Sequence, residues 1–258
     1  MLVLKVKDYE ELSERVASFI ADEIRKKQDI ILGLATGETP LGVYRNLIRI
    51  HKEEGLDFSK VTTFNLDEYV GLSPTHKESY HYFMHENLFK HINIDPRNVY
   101  IPDGMVKDIP AYCEWYEKKI KEVGGIDLQI LGIGRDGHIG FNEPGSSLGS
   151  RTRIKTLSKE TIEDNARFFW GIDNVPRTAI TMGIQTIIEA KLLILLASGK
   201  KKAETVKLTV EGPVSSMVPA SIIQFHPNAA IVIDQEAASL LTKEYNIWGE
   251  GEEIYLHL

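Results

Sequence analysis

Six short apolar runs, rich in β-branched residues, recur along the chain with longer amphipathic stretches between them. They fall at residues 2–6, 30–35, 61–66, 128–133, 192–197 and 230–233. The middle runs lack the polar alternation of a half-exposed strand. Each must therefore be covered on both faces, as in a parallel sheet sandwiched between helices. The intervening stretches supply the helices. Residues 8–27 place Leu12, Val16, Phe19, Ile20 and Ile24 on one face behind an N-capping Asp8, and residues 41–51, 111–123 and 200–210 behave alike. The pattern predicts an α/β fold: an open, mostly parallel β-sheet flanked by helices on both faces, a modified Rossmann-like, three-layer arrangement. No linker rich in Pro, Gly or Ser and no internal repeat divides the sequence, so residues 1–258 read as a single domain.

Composition narrows the classes of function. Of 258 residues, 43% are hydrophobic, enough for a core that needs no covalent staple. Cys113 is the one cysteine, which excludes a disulfide framework, a zinc finger or an iron–sulfur cluster and suits a reducing, cytoplasmic setting. The segment Met1-Leu2-Val3-Leu4-Lys5-Val6-Lys7-Asp8 lacks the features of an export signal, and no apolar run approaches the roughly 18 residues of a membrane span. A formal net charge of -7 removes the field that favours nucleic acid, and Lys200-Lys201-Lys202 is too short for a basic arm. Neither nucleic acid nor membrane is expected as a partner. Small-molecule chemistry leads.

Ligands of open α/β sheets bind outside the carboxyl ends of the strands, so the segments after each run are where chemistry belongs. Thr36-Gly37-Glu38-Thr39-Pro40 follows the second run. Thr39 is a candidate N-cap, Pro40 a candidate first helical residue, and free backbone N–H groups there suit a phosphate, although an ordinary capped turn reads the same way. After the third run, Asp67-Glu68-Tyr69-Val70-Gly71 puts two acids at a strand end, where a carboxylate can act as a general base or simply cap a helix. The densest cluster follows the fourth run: Gly134-Arg135-Asp136-Gly137-His138-Ile139-Gly140-Phe141-Asn142-Glu143-Pro144. Arg151, Arg153 and Lys155 alternate along a possible strand and so face one way, toward an anion or toward solvent. Arg167 and the lysines after the fifth run are further phosphate candidates.

Three shorter matches fail on context. Gly132 to Gly137 fits the dinucleotide fingerprint, but Gly140 and Pro144 interrupt any helix after it and no strand-end acid follows at the required distance. Gly145-Ser146-Ser147-Leu148-Gly149 fits a nucleophile elbow without the strand that should precede it. His81 and His85 have metal-ligand spacing on a helix, but Tyr82 stands where the zinc-protease motif has glutamate.

Taken together, Thr36-Gly37-Glu38-Thr39-Pro40, the stretch Phe64-Asn65-Leu66-Asp67-Glu68-Tyr69-Val70-Gly71, the cluster around His138 and Ser146-Ser147-Leu148-Gly149-Ser150-Arg151-Thr152-Arg153-Ile154-Lys155-Thr156-Leu157 resemble the glucosamine-6-phosphate deaminase (glucosamine-6-phosphate isomerase) family, from the first strand to about Asp234. The resemblance implies conversion of a sugar phosphate, D-glucosamine 6-phosphate, with water to D-fructose 6-phosphate and ammonia, with no metal or organic cofactor. It implies His138 as the ring-opening acid/base supported by Asp136 and Glu143, and Asp67 as the base that carries the C2 proton to C1 through a cis-enolamine. The phosphate falls to the loop containing Gly37, Glu38 and Thr39, with Arg167 and Lys202.

Some family members are hexamers activated by N-acetylglucosamine 6-phosphate, and Ser146, Arg153, Lys155 and Thr156 match that allosteric site. The tyrosine completing it has no clear counterpart in the C-terminal tail, so the chain is expected either as a homo-oligomer such as a hexamer or as a monomer. Glu38 stands where many relatives have a small residue. A carboxylate near a bound phosphate would be repelled, so its side chain is expected to point away. Two other classes share the fold: 6-phosphogluconolactonase, which the segments at Asp67 and Phe141 to Pro144 fit less well, and sugar-phosphate sensors, which need a DNA-binding segment.

Overall fold

The computed structural model describes residues 1–249, and the tail residues 250–258 considered above lie outside the described residues. The first half of the chain runs β1 (Leu2–Val6), α1 (Tyr9–Lys26), β2 (Ile31–Leu34), α2 (Leu41–Glu54), β3 (Thr62–Asn65), β4 (Asp67–Tyr69), α3 (Tyr80–Asn87), β5 (Val99–Tyr100), α4 (Ile109–Glu122) and β6 (Leu128–Leu131). The second half adds β7 (Arg153–Thr156), α5 (Lys159–Asn165), β8 (Thr178–Thr181), α6 (Ile184–Ile188), β9 (Leu192–Ala197), α7 (Ala203–Glu211), β10 (Ala229–Asp234) and β11 (Asn246–Ile247).

All six apolar runs lie in one eight-stranded sheet of order β11-β1-β10-β9-β6-β2-β3-β5, every pair parallel. The sheet has a hydrophobic core on each face. Leu32 and Leu34 of β2 pack with Leu12, Val16 and Ile20 of α1 and with Tyr44 and Leu47 of α2. Ile31, on the other side of the same strand, joins Tyr116 and Ile120 of α4, Ile184 of α6 and Val206 of α7. This is the three-layer arrangement expected, and it explains why β9 and β10 read as unbroken apolar runs: every residue in both is buried.

Local chemistry sets the helix ends. Asp8 is the N-cap of α1, its carboxylate accepting the Glu11 N–H at 2.9 Å. The start of α2 departs from expectation. Helix begins at Leu41, Pro40 is the cap residue, and no side chain of its own loop caps it. The Tyr9 hydroxyl of α1 takes that role, accepting the Gly42 N–H at 2.8 Å. The fourth predicted helix starts later than its pattern suggests, because Lys200–Lys202 form a 3-10 turn before α7.

A second, three-stranded antiparallel sheet, β4-β8-β7, takes in the possible strand at Arg153 and Lys155 as β7, but β4, β8 and the pairing of the three were not legible in the sequence. Its junction with the large sheet is a single residue. Leu66 donates its N–H to Leu34 of β2 at 3.1 Å and accepts the Met182 N–H, just beyond β8, at 2.7 Å. Asp67 therefore sits where the two sheets meet. No helix among the described residues is long and apolar enough to cross a membrane.

Candidate active site

The carboxyl ends of β2, β3, β6 and β9 open into a cleft of about 550 Å³. Thr36–Pro40 after β2, Asp67 after β3, residues 132–135 and His138 after β6, and Lys201 and Lys202 after β9 line it, together with residues 163–165 of α5 and Arg167 and Phe168 beyond it. Three of the four segments singled out from the sequence converge here, together with the lysines after the fifth run.

Asp67 forms part of the wall. It is 6% exposed, and its carboxylate accepts no hydrogen bond among the described residues. Burial, reinforced by the neighbouring Glu68, pushes its pKa up to about 8. Glu68 is fully buried and committed elsewhere: it accepts the N–H groups of Tyr69 at 2.8 Å and of Tyr80 and His81 at 3.0 Å, and faces the His81 ring at 3.0 Å. It anchors the start of α3 and leaves its negative charge beside Asp67. Gly140, at φ 56°, brings backbone against the same carboxylate, for a Cβ there would lie 3.3 Å from Asp67 Oδ2 and 3.0 Å from Thr181 Oγ1.

His138 closes a tight loop. Gly134 donates to its carbonyl at 2.9 Å, and Gly137, at φ 88°, donates back to Gly134 at 3.2 Å. Asp136 accepts the His138 backbone N–H at 3.1 Å and lies 2.6 Å from ring Nδ1. The imidazole thus stands in close contact with the Asp136 carboxylate on its Nδ1 side. Burial alone would raise the Asp136 carboxyl, but the His138 ring and N–H outweigh it and hold the carboxyl below its ordinary value. Glu143 departs from the expected supporting pair. Its carboxylate accepts the Ser158 N–H at 2.9 and 3.0 Å and the Thr161 hydroxyl at 2.6 Å, at the start of α5, and it makes no ion pair with His138.

The anion end of the cleft is the loop after β2. The N–H groups of Gly37, Glu38 and Thr39 have no partner among the described residues, and Gly37 has φ 98°. Arg167 reaches this loop from beyond α5, its guanidinium 3.2 Å from Glu38 Oε1. Glu38 thus points at the cationic partner rather than away from the cleft. Lys202 donates to the Ile133 carbonyl at 2.7 Å. Burial lowers its pKa, against the opposing pull of Asp164, Asp136 and Glu38.

Other candidates lie elsewhere. Arg151 precedes β7 and is bound to Glu189, so it does not join Arg153 and Lys155 on a shared strand face. Ser146 is buried, its hydroxyl without a partner among the described residues, Arg153 donates to the Arg151 carbonyl, and Lys155 and Thr156 lie on β7, all outside the cleft lining. His81 faces Glu68 whereas the exposed His85 faces Glu86, so the two do not converge. Sequence reasoning overlooked Tyr80, Gly134, Gly140 and Asp164 as parts of this site. The glycines stood within the cluster already noted, so the signal was present.

The geometry can be set beside known proteins. Residues 7–232 match the family of glucosamine-6-phosphate isomerases and 6-phosphogluconolactonase. A glucosamine-6-phosphate deaminase of Thermoanaerobacter pseudethanolicus is 52% identical over 244 residues, covering 95% of this chain and 96% of that protein. One from Halothermothrix orenii is 54% identical over 241 residues, covering 93% and 100%. The solved structure of a monomeric glucosamine-6-phosphate deaminase superposes with a TM-score of 0.91 at 50% identity, over 93% of this chain and all of that one. A 6-phosphogluconolactonase from Trypanosoma cruzi, at 21% identity and a TM-score of 0.74, shares the fold. With its cleft at the strand ends and its similarity running nearly end to end, the chain belongs to the glucosamine-6-phosphate isomerase/6-phosphogluconolactonase family.

Proposed function

We propose that this protein is an enzyme that converts D-glucosamine 6-phosphate and water to D-fructose 6-phosphate and ammonia, an isomerisation coupled to deamination in amino-sugar catabolism. The observation that carries this reading is a buried carboxylate, Asp67, held without hydrogen bonds from the described residues and with its pKa pushed up to about 8, in the same cleft as the His138–Asp136 pair. Relatives at about half identity over nearly their full length are named for that activity.

The substrate phosphate sits against the free N–H groups of the 36–40 loop, with Arg167 and Lys202 as its cations. His138 takes the proton of the anomeric hydroxyl and delivers one to the ring oxygen, so that the C1–O5 bond breaks and the aldehyde is released. Asp136 orients the imidazole and stabilises its protonated form. Asp67 removes the C2 proton while the aldehyde oxygen takes up a proton, giving a cis-enolamine, and then returns its proton to C1 as the amino group gives one up, leaving an imine at C2. Water adds there, the C–N bond breaks and ammonia departs. Glu143 acts at one remove, fixing the start of α5 and hence the segment that carries Arg167. No metal or organic cofactor enters the scheme. Residues 1–258 work as one cytoplasmic domain, as a monomer like the solved relative or as a homo-oligomer, with Ser146, Arg153, Lys155 and Thr156 as the place for an N-acetylglucosamine 6-phosphate activator.

One assay tests the reading. Purified protein given glucosamine 6-phosphate should form ammonia and fructose 6-phosphate in equal amounts. Hydrolysis of 6-phosphogluconolactone without ammonia release would assign it to the other branch of the family, and tight binding without turnover would make it a sensor. Gly134 offers a finer check, because a Cβ there would stand 2.2 Å from the His138 ring. Gly134→Ala is expected to displace the imidazole and lower kcat/KM about a hundredfold, measured in the same assay.

A further inference from the structure

We propose that Glu38 is an internal competitor for Arg167: its carboxylate pairs with the guanidinium that the substrate's phosphate must take. The inference rests on the phosphate site described above and concerns how that site is tuned. Glu38 Oε1 lies 3.2 Å from Arg167 Nη2, and both side chains are mostly exposed, at 68% and 62%, so either can swing away. The loop backbone is held separately. The Tyr9 hydroxyl is 3.0 Å from the Glu38 carbonyl and 3.1 Å from that of Thr39, and it accepts the Gly42 N–H. The backbone N–H groups of Glu38 and its neighbours therefore remain available for an anion while the side chain binds Arg167.

A carboxylate and a phosphate both favour the guanidinium fork, and both cannot hold it in the same way at once. Binding of a phosphate monoester must then exchange one anion for the other on Arg167. The exchange has two consequences. The Glu38–Arg167 pair ties the segment after α5 to the loop after β2, as the Arg135–Asp164 pair ties α5 to the loop after β6. On binding, part of the phosphate's attraction to Arg167 is spent in displacing Glu38, so affinity is lower than a neutral residue at position 38 would give.

The test is calorimetric titration of the full chain with inorganic phosphate, which needs no turnover, alongside KM for glucosamine 6-phosphate. Glu38→Gln should tighten inorganic phosphate about two- to fivefold, the range an exposed ion pair supplies, and lower KM by a similar factor. Arg167→Gln should weaken phosphate binding, and adding Glu38→Gln to it should recover less than the same substitution gains in the parent. An unchanged dissociation constant in Glu38→Gln, with normal turnover, would overturn the proposal and leave the functional reading standing. An equal gain with and without Arg167 would also overturn it, by showing simple repulsion from the loop. Failure of the parent and of Glu38→Gln alike to bind phosphate or turn over the sugar would overturn both the proposal and the site on which it rests.

Discussion

Asp67→Asn should bind glucosamine 6-phosphate yet lose kcat by about 10²–10⁴-fold, and it should no longer exchange the C2 hydrogen with solvent. The amide keeps the shape of the carboxylate but cannot accept the proton. Because Asp67 has no hydrogen-bond partner among the described residues, the substitution breaks no network that would confuse loss of chemistry with loss of structure. Retained exchange, followed as deuterium entering the C2 position in heavy water, would remove Asp67 from the role. The raised pKa adds a second readout. A base must be ionised to act, so kcat/KM of the parent should climb with pH toward about 8 and level off above it.

The same carboxylate links to stability with a definite sign. Its folded pKa stands above the unfolded value, so the native state holds the proton more tightly. Its contribution is complete below about pH 4 and is lost as the pH rises through about 8. Asp67→Asn escapes that loss. Its Tm should exceed that of the parent at pH 9, and the gap should close as the pH falls toward 4. A variant no more stable at pH 9 would mean that the buried carboxylate is better solvated than its surroundings imply.

The large sheet was legible because burial on both faces writes itself into composition. Strand β9 has no polar residue, and β10 has one, Asp234 at its carboxyl end. The small sheet was hidden for the opposite reason. Asp67-Glu68-Tyr69 reads as a turn or a cap, and becomes a strand only because β8, far along the chain, pairs with it. Capping shows the same limit: Asp8 serves its own helix and was readable, whereas α2 borrows the hydroxyl of Tyr9 from another element. Within the site, the residue types and the strand ends they follow were readable from sequence. Partners were not. Glu143 turns to Ser158, and Glu38 finds Arg167, through contacts that only the folded chain brings about.

His138→Gln should lose about 10²–10³-fold in kcat/KM on the closed pyranose and far less on an open-chain analogue that presents the aldehyde directly. The difference follows from where the ring sits in the scheme. Opening the sugar requires one group to take a proton from the anomeric oxygen and give one to the ring oxygen, and imidazole can do both near neutral pH. Glutamine can donate a hydrogen bond but cannot shuttle the proton. The later transfer from C2 to C1 belongs to Asp67, so a substrate that arrives open should bypass the defect. Asp136→Asn should share the selectivity more weakly, since Asp136 acts through the ring that it holds 2.6 Å away. Equal losses of His138→Gln on both substrates would instead place the imidazole in the transfers at C1 and C2. The ring-opening group would then have to be another side chain of the same cleft.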